Sequence, residues 1–307
     1  MPLIKYVHKS FRATKRRLIS QANVIMTDYR AQGFDLTLRQ LYYQFVARGL
    51  LPNTEKSYKN LGKAVNDGRL AGMIDWTDIN DRTRKLNDFS AWDSPQDIIK
   101  SAARSFAMKV WDKQPEYVEV WVEKEALIGV AQQACDEMRV PSFACRGYVS
   151  QSAMWEAARR MIRRAKEGPM GYRHIHIVHL GDHDPSGIDM TRDIEARIET
   201  FEVEDFEVER IALNMDQIDD LNPPPNPAKI TDSRAAEYIA RFGCTSWELD
   251  AISPQAMVDL IQDTIAQHVD ETAMGNALVI EQGHRQDLAK IADDWKEVVA
   301  RYHGDAE

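Results

Sequence analysis

Three carboxylates in this sequence follow strand-like runs at positions from which they can share one cation. Asp182 and Asp184 come directly after an apolar run at 173–181, and Glu123 follows a second run at 117–122. Because ligand sites of an open α/β sheet form beyond the carboxyl ends of its parallel strands, we expect these side chains to converge. Three carboxylates without a cysteine ligand suit a hard cation, so the pattern predicts a Mg²⁺ site that Mn²⁺ can also fill.

The same residues have an ordinary structural interpretation, which the sequence leaves open. Asp-x-Asp-Pro-x-Gly, here at 182–187, is a favourable turn and helix start, because Asp caps a helix and Pro fixes φ. Glu123 at the end of another strand favours metal binding, since clustered acids are costly unless they are paired or coordinated. Zinc is not predicted, because His174 and His176 share a strand face but the spacing places no third ligand.

Strands and helices alternate after residue 116, which predicts an α/β fold with a parallel sheet and crossover helices. The Pro-rich stretch 222–227 predicts an extended connector before a helical tail. The predicted strands are 117–122, 141–145, 173–181 and 206–212, and the predicted helices are 124–137, 151–166, 188–200, 253–269 and 286–302. An apolar run at 277–280 is predicted to separate the last two helices.

The amino-terminal part of the chain is basic and helical. Residues 1–110 contain 19 Lys and Arg against 10 Asp and Glu, a net charge of +9, whereas the remainder carries −18. Helices are predicted at 7–32, after Asp35 and at 56–71, and Thr37 with Gln40 predicts a capping box. Three helices with a basic face are typical of a winged-helix DNA-binding domain, although a solvated basic helix has the same charge. We therefore expect domains at 1–110 and 111–307.

The composition argues against several other classes of protein. The sequence has 44% hydrophobic residues, a net charge of −9, no run of 18 apolar residues and no apolar signal segment near its amino terminus. Its three cysteines, Cys135, Cys145 and Cys244, share no CxxC spacing, so a disulfide framework is not expected. These features predict a cytoplasmic protein with free thiols and no membrane partner.

Four blocks resemble, in order, sequences of the topoisomerase VI A subunit and the related meiotic enzyme that makes double-strand breaks. The blocks are Thr-Leu-Arg-Gln-Leu-Tyr-Tyr at 37–43, Val-Glu-Lys at 122–124, Asp-His-Asp-Pro-Ser-Gly-Ile at 182–188 and Trp-Glu-Leu-Asp-Ala-Ile at 247–252. The resemblance implies a CAP-like winged helix followed by a Toprim domain, a Rossmann-like parallel sheet, here with a helical carboxy-terminal extension. Residues 68–80 depart from the family pattern and the chain is short, as in a compact, stand-alone relative.

The family's nucleophile is the second tyrosine of the first block, which corresponds to Tyr43. Helix geometry also separates this residue from Tyr42, because Tyr43 lies one turn from Arg39, a cation that can hold a phosphate or lower the pKa of the phenol. The predicted buried stripe of the same helix consists of Leu38, Leu41, Tyr42 and Phe45.

The activity implied by the resemblance is transesterification of DNA. Tyr43 attacks phosphorus and forms a 5′-phosphotyrosyl double-strand break, Glu123, Asp182 and Asp184 hold Mg²⁺, and Glu123 also handles the proton of the 3′ oxygen. The implied assembly is a homodimer on double-stranded DNA. Strand passage implies a separate ATPase (B-type) subunit, because the sequence contains no GxxxxGK[ST] motif.

Two other functions stay open at the sequence level. A Toprim nuclease would hydrolyse DNA with metal-activated water and would not need Tyr43. A non-catalytic DNA-binding or assembly protein would retain the acids without using them. Lys124 and Arg146 are the predicted DNA contacts, because each follows a strand at the same sheet edge; Lys124 could instead offset the acidic charge.

Overall fold

The structure, a computed structural model, describes residues 3–34, 36–79 and 91–304. Asp35 and Asn80, which figure in the predictions for the second helix and for the segment 68–80, lie outside the described residues. The chain divides into two compact units. One contains the described residues of 1–84 with Val118–Ile162 and His176–Gln267, and the other contains the described residues of 85–117 with Arg163–Ile175 and 268–307. The predicted domain division after residue 110 stays a prediction.

The first unit begins with three helices, α1 (Ala13–Ala31), α2 (Leu38–Ala47) and α3 (Glu55–Leu70). Helix α2 opens with the predicted capping box, in which Thr37 and Gln40 exchange hydrogen bonds. Helix α1 starts six residues later than predicted, because the amides of Tyr6 and Val7 both donate to the carbonyl of Leu70, at 2.9 Å. This pairing holds the preceding segment against the end of α3.

The predicted winged helix is not confirmed. Among the described residues before the first strand, β-pairing is limited to two isolated bridges, Lys5 with Ala71 and Leu36 with Ile79. A wing requires a paired ribbon of strands, and residues 80–90, which belong to the predicted domain, lie outside the described part of the chain. What is observed is a three-helix arrangement.

A four-stranded parallel sheet confirms the predicted α/β class. Its strands are β1 (Glu116–Val122), β2 (Ser142–Ala144), β3 (His174–Leu180) and β4 (Phe206–Ala212), in the order β2-β1-β3-β4. Val120 pairs with Ser142 and Val122 with Ala144 in the first strand pair. Both β1 and β3 are buried along nearly their whole length, as expected of parallel strands covered on two faces.

Helices connect and extend this sheet. They are α4 (Pro95–Ser105), α5 (Ile128–Met138), α6 (Gln151–Ala165), α7 (Pro185–Thr200), α8 (Met215–Leu221), α9 (Ala235–Phe242), α10 (Pro254–Ala266), α11 (Glu271–Asp293) and α12 (Trp295–Gly304). The connector at 222–227 is extended as predicted, and it ends in a short strand β5 (Asn226–Pro227), which pairs antiparallel with β6 (Thr245–Ser246).

The tail differs from the prediction at 277–280, because this apolar run lies inside helix α11 and does not separate two helices. Asp270 caps α11 by accepting a hydrogen bond from the amide of Ala273 at 2.9 Å, so the helix begins at 271. Within the second unit, α11 packs against α4, and Glu281 accepts from the amide of Met108 at 2.7 Å.

The free thiols predicted from the composition are observed. Cys135, Cys145 and Cys244 are free thiols. Among the residues that the structure describes, we find no helix with the length and apolar character needed to span a membrane.

Candidate functional site

The turn after β3 places two of the predicted acids at the start of α7. Oδ1 of Asp184 accepts hydrogen bonds from the amide of Gly187 at 2.7 Å and from the hydroxyl of Ser186 at 2.9 Å. Asp184 is therefore a helix cap, and the structural interpretation of this motif is correct as far as it goes. Gly187 is required by space, since a Cβ there would lie 2.2 Å from the carbonyl oxygen of Asp182.

Glu123 joins the end of β1 to this turn. Its amide donates to the carbonyl of Leu180 at 2.9 Å, and its Oε2 accepts from the amide of Asp182 at 2.8 Å. Glu123, Asp182 and Asp184 all line one cavity of about 420 Å³. The structure thus brings the three predicted acids to one edge of the sheet, while their role as metal ligands stays a prediction.

The buried carboxyl groups of Glu123 and Asp182 have raised pKa values. Burial and the neighbouring Asp182 raise the pKa of Glu123 to about 7. Burial also raises the pKa of Asp182, although Lys124 opposes this shift. A cation between these groups would favour the ionised form of both carboxylates, since opposite charge within a few ångströms lowers a carboxyl pKa.

Each of the three carboxylates keeps one oxygen available. Oε2 of Glu123 and Oδ1 of Asp184 accept from the backbone, and Oδ1 of Asp182 accepts from the amide of Leu249 at 2.8 Å and contacts Lys124. Within the described parts of the chain, their other oxygens accept no hydrogen bond. Hard divalent cations take carboxylate oxygens and complete their shell with water, so these oxygens are of the type that Mg²⁺ prefers.

Two further acids hold the two predicted cations. The ammonium of Lys124 lies 2.7 Å from Asp182, 2.7 Å from Glu248 and 2.9 Å from Asp250. The guanidinium of Arg39 contacts Glu248 and lies 3.2 Å from Asp250. Burial alone would lower the pKa of Lys124, but the three carboxylates outweigh burial and raise it. Lys124 therefore stays charged and offsets the negative charge of the acids. This is one of its two predicted roles, and the other is contact with DNA.

Arg210 donates hydrogen bonds to the turn at 181–187, called here the acidic turn. This residue of β4 donates to the carbonyls of Gly181 at 2.9 Å, Asp182 at 2.7 Å and Gly187 at 3.0 Å. Burial lowers its pKa to about 10, while Glu123 and the two aspartates oppose that shift, so it is a cation at neutral pH. Arg210 fixes the backbone that carries the acids.

The two tyrosines of α2 have different surroundings. The hydroxyl of Tyr42 accepts from the amide of Thr54 at 2.7 Å and lies 3.1 Å from the Thr54 carbonyl, so it fastens the start of α3. Among the described residues, the hydroxyl of Tyr43 accepts one hydrogen bond, from the side-chain amide of Asn226 at 3.4 Å, and Arg39 lies over its ring at 5.7 Å. The predicted proximity of Tyr43 and Arg39 is therefore observed.

Arg39 lowers the pKa of Tyr43 as predicted, but other causes outweigh it. Tyr43 is only 4% exposed, and burial together with Glu248 raises the pKa of its phenol to about 12, although Asn226 and Arg39 oppose the shift. Arg39 does not bring this pKa below its usual value, because burial of the phenol is the larger cause and Glu248 adds to it. Tyr43 is also not among the described residues that line the cavity.

The remaining predicted DNA contact lies at the mouth of the cavity. Arg146 is exposed and paired with Glu125, and both residues line the cavity together with Lys229. The amide of Gly147 donates to the carbonyl of Glu123 at 3.2 Å, so it is not available for a phosphate in this conformation. Among the described residues that line the cavity, Arg146 and Lys229 are exposed cations, and the role of Arg146 as a DNA contact stays a prediction.

His183, between the two aspartates, is not a ligand candidate. It is buried, its Nδ1 lies 2.7 Å from the hydroxyl of Tyr238, and its ring packs edge-on against Phe242 and Trp247. Burial and the nearby Arg210 lower its pKa to about 4. Its role is to pack the turn against the segment 245–248.

Comparisons with known proteins were made against family models, curated proteins and solved structures. None of them matches the chain. The resemblance to the topoisomerase VI A subunit therefore rests on the four sequence blocks alone, and the site must be judged on its geometry.

Sequence reasoning assigned no role to several residues that complete the site. Glu248 and Asp250 lie in the block 247–252, but the sequence does not show that they contact Lys124 and Arg39, which lie more than 120 residues away in sequence. Arg210 gave no signal either, because a single Arg in an amphipathic strand ordinarily faces solvent. Only the fold shows that it lies under the acidic turn.

Proposed function

We propose that this chain is a Mg²⁺-dependent DNA-cleaving enzyme that acts at the cavity beyond β1 and β3, with Tyr43 as its nucleophile. The observation that carries the proposal is the set of three carboxylates, Glu123, Asp182 and Asp184, each with an unengaged oxygen on the same cavity as two fixed cations. We further propose that the fold comprises a winged helix and a Toprim domain, and that the protein acts in the cytoplasm.

The donor set fits a divalent cation of the Mg²⁺ class, held by Glu123, Asp182 and Asp184. When bound, such an ion neutralises charge that develops on the phosphoryl oxygens. The protein's own contribution is to fix the acids with backbone amides and to hold Lys124 and Arg39 in place through Glu248 and Asp250.

The chemical step makes one bond and breaks one. Oη of Tyr43 forms a bond to the DNA phosphorus, the bond from phosphorus to the 3′ oxygen breaks, and the products are a 5′-phosphotyrosine and a 3′ hydroxyl. The phenol proton leaves to solvent, and Glu123 donates a proton to the 3′ oxygen.

Lys124, Arg39 and Tyr43 are coupled through shared carboxylates. Glu248 contacts both cations and raises the pKa of Tyr43, whereas Arg39 and Lys124 favour its phenolate. A DNA phosphate that displaced Arg39 and Lys124 from Glu248 would change the charges around the phenol of Tyr43, and therefore its pKa. This coupling supports Tyr43, buried as it is, as a part of the same site.

The proposal is tested on supercoiled DNA with Mg²⁺, stopped with detergent and assayed for protein covalently attached to 5′ ends. We expect such ends with the wild-type protein and none with Asp184→Asn or with chelator. Asp189→Asn is the matched control, because Asp189 lies one turn further along α7 and pairs with Arg192 and Arg234. Cleavage that survives Asp184→Asn would contradict the metal site.

Hydrolysis by metal-activated water is the second candidate function. The burial of Tyr43 and its raised pKa favour it, since water reaches the open cavity more easily than the phenol does. Free 5′ phosphates, cut equally well by Tyr43→Phe, would identify this activity.

The proposed partners are double-stranded DNA, a second copy of the chain and a separate ATPase subunit. Two copies are required by the proposal because each Tyr43 cuts one strand. The ATPase partner follows from the resemblance alone. Strand passage without added ATPase would contradict that part of the proposal.

A further inference from the structure

The ammonium of Lys124 is coordinated as a metal ion would be. It lies within 2.9 Å of three carboxylate oxygens, one each from Asp182, Glu248 and Asp250. An ammonium has three N–H donors, so a carboxylate accounts for every one of them. One of these oxygens is itself fixed by the backbone, because the amide of Leu249 donates to the same Asp182 oxygen at 2.8 Å.

A second observation points to a cation at the same place. Asp250 is 1% exposed and lines the cavity, and its Oδ1 has no hydrogen-bond partner among the described residues. A buried carboxylate oxygen without a partner is costly, and native proteins rarely contain one. The pocket around Lys124 therefore has more oxygen ligands than an ammonium can use.

We propose that Lys124 occupies the place of a second divalent cation, so that the chain binds one metal ion where its acids could hold two. The ammonium takes the position between Asp182, Glu248 and Asp250. The first ion would lie on Glu123, Asp182 and Asp184, and this part of the inference rests on the proposed function. Removing the ammonium opens a second ion site.

The substitution has a consequence for the nucleophile. A pair of metal ions in a phosphodiester-cleaving site binds both the attacking and the leaving oxygen, and one of the ions can carry a hydroxide. Lys124 supplies a single positive charge and only donates hydrogen bonds, so it cannot carry a hydroxide. A site built this way keeps only the first ion as a carrier of hydroxide, so both water on that ion and Tyr43 stay candidates for the nucleophile.

The test counts Mn²⁺ ions bound to the full chain by the loss of the free-ion electron paramagnetic resonance signal, with calorimetry as a second measurement. We expect one ion in the wild type and two in Lys124→Ala. Lys124→Arg keeps a cation in place and is the matched control, with one ion expected. The double variant Lys124→Ala with Glu248→Gln should return to one ion, because the second site loses a carboxylate.

The outcomes separate this inference from the proposed function. One ion in both the wild type and Lys124→Ala would overturn the inference and leave the first metal site intact, and two ions in the wild type would also overturn it. No ion in the wild type but one in Lys124→Ala would support the inference and contradict the first site. Lys124→Gln, which is uncharged and keeps most of the side-chain volume, gives the same count should Lys124→Ala fail to fold by circular dichroism.

Discussion

The carboxyl edge of the sheet and helix α2 differ in how far their functional groups are prepared for reaction. At the sheet edge, Glu123, Asp182 and Asp184 line an open cavity and each retains an unengaged oxygen. In α2, Tyr43 is 4% exposed and the pKa of its phenol is raised to about 12. The three acids already line one cavity, whereas the proposed nucleophile must gain both access and a lower pKa when the ligand binds.

The difference follows from what holds each region. Backbone amides and Arg210 fix the acidic turn, so its geometry does not depend on a ligand. Tyr43 depends on Arg39 and Glu248, whose charges neutralise each other until a phosphate competes for the cation. This arrangement would keep the phenol unreactive in the absence of DNA.

The largest effect on the carboxyl edge of the sheet is expected from Arg210→Met. The change leaves the carbonyls of Gly181, Asp182 and Gly187 without their donor and removes a cation beside the buried acids. We expect a loss of about 3 kcal/mol in the free energy of unfolding, together with loss of Mn²⁺ binding. Urea unfolding and the ion titration measure both. A variant with wild-type ion affinity would show that Arg210 does not position the turn.

Gly187→Ala should act on the same turn through space alone. A Cβ at this position would lie 2.2 Å from the carbonyl oxygen of Asp182, so the backbone must move. We expect a loss of about 1–3 kcal/mol in stability and weaker Mn²⁺ binding. Gly283→Ala in α11 is the control, because its Cβ meets nothing within 4 Å and the helix should gain about 0.5–1 kcal/mol. Equal effects of the two changes would contradict the close packing at Gly187.

The pH dependence of the site should be dominated by Glu123. Its folded pKa of about 7 lies above the ordinary value, so the folded state binds this proton more tightly than the unfolded state does. Its contribution to stability is therefore present below the unfolded pKa and is lost as the pH rises through about 7, by about 3 kcal/mol at most.

Metal binding has the opposite pH dependence, because the ion requires the ionised carboxylate. Mn²⁺ affinity should rise as the pH passes through about 7. Calorimetric titrations on both sides of that value measure the change, with Glu123→Gln as the control in which the dependence disappears. An affinity independent of pH in the wild type would contradict the raised pKa.

The smallest effects on stability are expected from the substitutions Tyr42→Phe and Tyr43→Phe. Tyr42→Phe removes the acceptor of the Thr54 amide and should lower stability by about 1–2 kcal/mol. Tyr43→Phe removes only the 3.4 Å contact with Asn226 and should leave the melting temperature nearly unchanged. Thermal unfolding distinguishes the two, and a larger loss in Tyr43→Phe would assign that hydroxyl a structural role.

Local sequence rules predicted much of the fold. Alternating apolar runs located β1, β3 and β4, and the residue types at Thr37 and Gln40 predicted a cap that the structure contains. The run at 277–280 was misjudged because an unbroken apolar run does not show helical periodicity, whereas in α11 only Ala277 is buried and the other three residues are exposed. A cap at Asp270, seven residues earlier, decides where that helix begins.

The sequence predicted that Glu123, Asp182 and Asp184 lie together, because they follow the ends of two predicted strands. The site was not predictable where distant segments combine, because the contacts of Lys124 with Glu248 and Asp250 span more than 120 residues of sequence. The burial of Tyr43 was also hidden, since helix periodicity assigned the buried face to Tyr42 alone, whereas both tyrosines are 4% exposed.

The central claim is that Tyr43 forms one DNA-cleaving site with Glu123, Asp182 and Asp184, the acids at the carboxyl edge of the sheet. The most direct measurement compares the wild type, Tyr43→Phe and Tyr42→Phe for protein covalently linked to 5′ ends of DNA in the presence of Mg²⁺. The account predicts linked ends for the wild type and Tyr42→Phe, and none for Tyr43→Phe, which should bind Mn²⁺ as the wild type does. Linked ends that persist in Tyr43→Phe, or that appear in none of the three proteins, would contradict it.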